Sequence, residues 1–360
     1  MLGKRRHLAV LAEGTFSPAE AKSAVGVLRY RPEEVVAVID STRTGRTADS
    51  CVGVGGEIPV VANLEGAAAF EPDGLLIGIA PQGGGLPSSW RTVVAEALLR
   101  GWDVIAGLHA FLADDPELAA LAEAKGCQIL DVRRPPARRP IAARRAANVD
   151  ALVALTVGSD CNVGKMTTAL EVRAELEKRG VRTGFVATGQ TGIYISDSGV
   201  ALDAVPSDFV AGVVEELVID AAREVDVVLV EGQGSLHHPA YSGVALALMH
   251  GACPDTLILC HEQGRTHLRV QDSGPAPRIR SLSDLVLDNE RAASWMHPAR
   301  VLGLSFNTRQ LEEAEAKRAL ESATQRTGLP AIDPVRFGAE AVAVALVRRL
   351  EERRRRAASA

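Results

Sequence analysis

Short apolar runs alternate along the chain with longer segments in which Ala, Leu and Val recur among Glu and Arg. Residues 8–11, 35–39, 74–80 and 102–106 read as buried strands in the first part of the chain. Residues 151–157, 182–187, 225–230, 256–260 and 301–305 read the same way in the second part. Wholly apolar strands separated by helical segments predict parallel sheets covered on both faces. Ser17 as N-cap with Pro18 behind it predicts a helix after the first strand, and further helices are expected at 169–178 and around 213–217. The expected fold class is α/β, in two domains at 1–135 and 149–350. A Pro/Arg-rich linker at 136–148 and a basic tail at 351–360 complete the layout, both read as solvent-exposed.

Bulk composition narrows the function classes. The 360 residues are 47% hydrophobic but only 4% aromatic, so the cores must be built from Val, Leu, Ile and Ala. A formal net charge of −5 gives no general attraction to nucleic acid or to a membrane surface. No apolar run is long enough to span a bilayer, and the N-terminus shows no signal-peptide pattern. The five cysteines, Cys51, Cys127, Cys161, Cys253 and Cys260, include no CxxC pair, so neither a metal site nor a disulfide framework is indicated. A cytoplasmic protein handling a small-molecule substrate is expected. A homodimer is expected by analogy with other proteins built on such a site.

The most informative segment is Gly158-Ser-Asp-Cys-Asn-Val-Gly164-Lys165-Met-Thr-Thr168. It lies between an apolar strand and a helix, the layout of a phosphate-binding loop. Backbone N–H groups, the helix N-terminus and a lysine charge together hold an anion there. Ser159, Asn162, Val163, Gly164, Lys165, Met166 and Thr167 are the candidate cofactor contacts. The residue after the lysine is ordinarily a Ser or Thr that binds Mg²⁺; here it is Met166, whose thioether is a poor ligand for a hard cation.

Other polar clusters fall at strand ends, where open α/β sheets bind ligands. Glu231-Gly-Gln233-Gly-Ser-Leu-His237-His238 follows an apolar strand, and His261-Glu-Gln-Gly-Arg265 follows another. Glu231, His237 and His261 are candidate acid–base groups. Backbone N–H groups of 232–234 are a candidate oxyanion site. Gln190, Gln233 and Arg265 are candidate substrate contacts, and Asp208 either contacts substrate or caps a helix. Asn307, just past a strand, is a candidate for reading an adenine edge. In the first domain Asp40, Arg43 and Gln82 form a second polar rim, without a GxGxxG fingerprint.

Two resemblances follow from these motifs. The second domain resembles dethiobiotin synthetase in the spacing from Gly158 to Gly164-Lys165 and in Val230-Glu231-Gly232, and departs from it at Met166. Almost the whole chain resembles the DUF1611 family, through Gly158–Thr168 with its Gly-Lys-Met-Thr-Thr ending, Glu231-Gly-Gln-Gly-Ser235, Asp40-Ser-Thr-Arg43 and Gly78-Ile-Ala-Pro-Gln-Gly83. That resemblance implies an N-terminal Rossmann-like domain plus a C-terminal P-loop NTPase-like domain with a mostly parallel sheet. It also implies a D-glutamate N-acetyltransferase that uses acetyl-CoA. Two alternatives stand beside it: an ATP-dependent ligase or kinase of dethiobiotin-synthetase type, using ATP with Mg²⁺, and a non-catalytic nucleotide-binding regulator.

Overall fold

The structure, a computed structural model, describes residues 6–18, 20–79, 85–270 and 275–358. The chain divides into two compact units, Met1–Pro136 with Gly189–Ala204, and Ala137–Thr188 with Val205–Ala360. Each is built on a parallel sheet, as the wholly buried strands require. Among the described residues no helix is long and apolar enough to cross a membrane.

The first unit contains β1 (Leu8–Leu11), β2 (Val35–Ile39), β3 (Val60–Val61), β4 (Gly74–Ile77), β5 (Asp103–Ala106) and β6 (Ile129–Asp131). Their order, β3-β2-β1-β4-β5-β6, is that of doubly wound dinucleotide-binding sheets. The helix expected at Ser17 instead begins at Lys22, with Ala21 at its N-cap. The reason is Asp40. Its buried carboxylate accepts the N–H groups of Gly14 (3.2 Å) and Phe16 (3.1 Å), which holds the stretch after β1 as a turn and sends Phe16 into the core.

Residues 189–204 lie in the second half of the sequence but pack in the first unit, unlike the expected division at 149. The helix Gln190–Ser196 joins the helix Lys22–Tyr30 through Ser23 Oγ and Thr191 Oγ1, 3.0 Å apart. Arg31 pairs with Asp197 at 2.7 Å. Buried Arg133 donates through Nε to the Gly107 carbonyl at 2.6 Å and pairs through its guanidinium with Asp203.

The second unit contains β7 (Leu152–Gly158), β8 (Thr183–Val186), β9 (Val227–Val230), β10 (Thr256–Glu262), β11 (Arg300–Asn307) and β12 (Ala331–Ile332). Their order is β12-β11-β10-β7-β9-β8. The chain winds from β7 to one side through β8 and β9, then crosses to the other side for β10, β11 and β12. The direction switches between β7 and β10, and a crevice opens there at the carboxyl ends of the strands.

Two stretches read as solvated are mostly exposed, and each is also anchored at a few points. Glu215, completely buried in the helix Ser207–Ala221, accepts the N–H of Ala143 at 3.1 Å, the N–H of Arg145 at 2.6 Å and Arg145 Nε at 2.8 Å. A buried carboxylate needs several donors, and the Pro/Arg segment supplies them from its backbone. The basic tail continues the helix Glu340–Ala358; there Arg353 pairs with Asp255 and donates to the Val149 carbonyl, and Arg354 pairs with Asp226.

Removing a partner from a buried ion pair costs about 3 kcal/mol or more, whereas an exposed pair contributes about 0–1 kcal/mol. Glu215→Ala is therefore expected to lower the urea midpoint by a multiple of the shift caused by Arg138→Ala, whose pair with Glu216 is exposed on the arginine side. Equal midpoints in the two variants would refute the assigned anchoring.

Candidate functional site at the carboxyl edge of the second sheet

β7 ends at Gly158, and the loop that follows re-enters a helix at Lys165. Two residues turn the chain. Asn162 sits at φ 58° and Gly164 at φ 102°, the left-handed region that Asn tolerates and Gly favours. Gly164 is the N-cap and offers no side chain to the helix, so the first-turn N–H groups point out of the helix end unclaimed by a cap. This is the geometry of an anion cradle.

Lys165 closes the cradle. Its ammonium donates to the Asp160 carbonyl of its own loop at 2.8 Å, and its stem lies against Gly232. Burial lowers the Lys165 pKa, and the neighbouring Asp160 and Glu231 act in the opposite direction. Gly232 has no alternative residue. A Cβ there would stand 1.7 Å from the Thr156 carbonyl oxygen and 3.0 Å from Lys165 Cδ.

Glu231, at the end of β9, is held from both oxygens. Oε2 accepts the Thr188 N–H at 3.0 Å and Oε1 faces Gln233 Nε2 at 3.3 Å. Thr188 Oγ1 donates to the Glu231 carbonyl at 2.7 Å and accepts from Gln233 Nε2 at 3.0 Å, closing the ring. Glu231 is thus a buried carboxyl group held in place near the lysine, with one donor on each oxygen. The Gly232 N–H, expected as an oxyanion donor, is taken by Thr156 Oγ1 at 2.9 Å. The N–H groups of Gln233 and Gly234 have no acceptor among the described residues.

The three histidines differ. His237 Nε2 lies 3.0 Å from Asp288 Oδ2, while its Nδ1 is buried without a partner. Burial pushes the Asp288 pKa up, but hydrogen bonds from Arg280 and His237 outweigh it, so the carboxylate stays ionised. His238 Nδ1 accepts the Ala240 N–H at 3.1 Å, so Nε2 carries the proton and donates to the Arg269 carbonyl at 3.0 Å. His261 Nδ1 meets Ser159 Oγ at 2.9 Å, and the ring edge rests on Phe306. Burial, then the charge of Arg265, pushes the His261 pKa down to about 4.

Asp160 was not singled out from the sequence. Its carboxylate is fully buried. Oδ2 accepts from Arg265 at 2.8 Å and from the Arg269 N–H at 2.9 Å, and Oδ1 has no partner. Arg265, expected to bind a substrate carboxylate, instead spans Asp160, the Cys161 carbonyl at 2.7 Å and Glu262. The signal was in the loop itself: an aspartate inside an anion cradle requires a counter-cation. Asp160, Cys161 and His238 each bring one ligand-capable atom within 4.8 Å of the others. The His238 nitrogens are already committed, one as acceptor and one as donor, so this group does not offer a metal a free imidazole.

The structure therefore gathers Ser159, Lys165, Glu231, Gln233, His261 and Arg265 at one sheet edge. Ser159 and Val163 are buried. Thr168 turns its hydroxyl into the core towards Ser305 at 2.7 Å, and Thr167 is the half-buried threonine. Asn307, at the end of β11, accepts the Arg309 N–H at 3.2 Å. Beyond β10 and β11 lies a cavity of about 390 Å³ lined by Glu262, Arg265, His267, Arg269, Arg309 and Gln310.

Other expected contacts fall elsewhere. Asp208 is exposed in the first turn of the helix Ser207–Ala221 and does not cap it. Gln190 belongs to the first unit. There too, Asp40 has no oxygen left for a ligand, since Thr42 N–H (2.9 Å) and Thr42 Oγ1 (2.6 Å) join Gly14 and Phe16 on it. Arg43 is half-buried, with no side-chain partner among the described residues. Gln82 and most of its glycine motif lie outside the described residues.

Comparison with known proteins agrees with both units. Residues 41–135 match the Rossmann-like domain of unknown function DUF1611_N, and residues 140–343 match the P-loop domain DUF1611_C. A protein of Tritonibacter scottomollicae named D-glutamate N-acetyltransferase is 43% identical over 323 residues, covering 89% of this chain and 92% of its own. One of the same name from a Pseudoalteromonas species is 37% identical, covering 77% of this chain and 82% of its own. The crystal structure of a DUF1611 family protein from Anabaena variabilis superposes with a TM-score of 0.90 at 38% identity, covering 95% of this chain and 99% of that one. This chain belongs to the DUF1611 family.

Proposed function

We propose that the protein transfers the acetyl group of acetyl-CoA to the amine of D-glutamate, releasing N-acetyl-D-glutamate and free CoA. The observation that carries this reading is the 43% identity, over 89% of the chain, to a protein named D-glutamate N-acetyltransferase. The site chemistry supports it. Coenzyme A carries a pyrophosphate, which a loop with N–H donors and Lys165 can hold without cleaving it. Nothing in acetyl transfer calls for the Mg²⁺-binding hydroxyl that Met166 replaces.

Amide formation needs a neutral amine. Of the three sequence candidates we assign the base to His237, whose buried Nδ1 must first be uncovered for an amine to reach it. Asp288 holds Nε2, which leaves the Nδ1 lone pair for a proton. Glu231 is buried and held by a donor on each oxygen, and His261, with a pKa of about 4, is a weak base. In this reading the ammonium of D-glutamate gives one proton to His237. The neutral amine attacks the thioester carbonyl, and the C–N bond forms. The oxyanion is met by the N–H groups of Gln233 and Gly234. The C–S bond then breaks; one proton ends on the thiol and one in solvent.

The direct test incubates the protein with acetyl-CoA and a panel of D- and L-amino acids and follows thiol release. Release confined to D-glutamate is expected. Phosphate release from ATP and Mg²⁺ in its place would move the protein to the ligase or kinase class, and silence in both assays would leave a nucleotide-binding regulator.

Two histidine variants separate the roles. His237→Gln is expected to lower kcat by about 10²–10⁴-fold with little change in KM, the span usual for a lost general base. A rate within twofold of wild type would exclude it as the base. His261 predicts a stability effect instead. Its folded pKa is about 4, below the unfolded value of 6.5, so its contribution is complete above pH 6.5 and is lost as pH falls towards 4. Melting curves of wild type should therefore drop more steeply over that window than those of His261→Asn. Parallel curves would contradict the assigned environment.

A further inference from the structure

The cavity beyond β10 and β11 has no part in the chemistry described so far, yet it adjoins the phosphate loop through Arg265, which lines it and also holds Asp160 and Cys161 of the loop. Its lining sets three guanidinium groups, Arg265, Arg269 and Arg309, against the single carboxylate of Glu262. Arg265 already neutralises Glu262. The exposed Arg269 side chain has no partner among the described residues, and Arg309 reaches Glu262 only at 3.6 Å. His267 adds a third polar group at the rim. Three guanidinium groups against one carboxylate give the cavity lining an excess of positive charge among the described residues, which suits a multiply charged oxyanion.

The cavity's place selects the anion. It lies at the carboxyl ends of β10 and β11, and Arg265 joins it to the loop that would hold a pyrophosphate. At about 390 Å³ it lies within the range of small-molecule sites. An adenosine without a ribose phosphate would bring no anion for these arginines to meet. We infer that Arg269 and Arg309 receive the 3′-phosphate on the ribose of the acyl donor, so that the protein selects CoA over dephospho-CoA. This rests on the acetyl-CoA reading and deepens it.

The test is calorimetric and does not depend on turnover. CoA and dephospho-CoA are titrated into wild type and into the double variant Arg269→Ala/Arg309→Ala. Wild type should bind CoA at least about tenfold more tightly, the effect of losing one charge-assisted contact. The double variant should lose that preference by weakening for CoA while keeping its affinity for dephospho-CoA within twofold. Lys165→Ala, at the pyrophosphate, should weaken both ligands alike. Equal wild-type affinity for the two would overturn the inference while leaving acetyl-CoA as donor. A raised KM for D-glutamate in the double variant, with the CoA preference intact, would give the cavity to the substrate carboxylates and also overturn it. Discrimination between the two ligands without any acetyl transfer would uphold the phosphate site and remove the acetyltransferase reading.

Discussion

A fully buried carboxylate inside an anion-binding loop is the constraint around which the second unit is arranged. Asp160 carries negative charge within the segment whose N–H groups, helix end and lysine favour an anion. Left alone it would be costly to bury and would oppose the ligand. Arg265 and the Arg269 N–H cancel it on one oxygen. Because those donors come from the stretch after β10, the cancellation ties the loop of β7 to the far side of the crevice. The same arginine spans to Glu262, so the walls of the polar cavity are fixed by the requirement that neutralises the loop.

The opposite wall is fixed by close approach. Gly232 allows the end of β9 to press on Thr156 and on the stem of Lys165, and the ring of Thr188, Glu231 and Gln233 locks that end in place. Lysine, glutamate and strand end are therefore set by packing before any ligand arrives. A preorganised charge of this kind costs little reorganisation when an anion binds.

Much of this was legible in the sequence. The strands that pack on both faces announced themselves as apolar runs, and the spacing from Gly158 to Lys165 announced the loop. β3 and β12 have two residues each and β6 has three, too short for any period to register. The assignment of residues 189–204 to the first unit was hidden because their partners, such as Ser23 and Arg31, lie more than 150 positions upstream. Composition gave the exposure of the Pro/Arg segment but not its anchor, the buried Glu215 that recruits its backbone N–H groups. Asp40 and Arg265 were read as ligand contacts because a sequence shows a charge without its partner. Both turned out to be satisfied internally, and Asp160, unremarked in the sequence, is what commits Arg265.

The departure at Met166 fits with the same logic. In a nucleotide-hydrolysing loop the hydroxyl after the lysine holds Mg²⁺, and the metal neutralises charge that develops on the transferred phosphoryl group. Here the two following threonines do not restore that arrangement as a pair: Thr168 is committed to Ser305 and Cys260 inside the sheet. What remains is a cradle with one buried lysine, whose proton affinity is reduced by desolvation and supported by fixed carboxylates nearby. Such a cradle is suited to holding a phosphate ester as a handle. The reacting bond then belongs to a different part of the ligand, and the residues that act on it must be sought off the loop. In the reading proposed above that group is His237, held by Asp288 on the segment after β9.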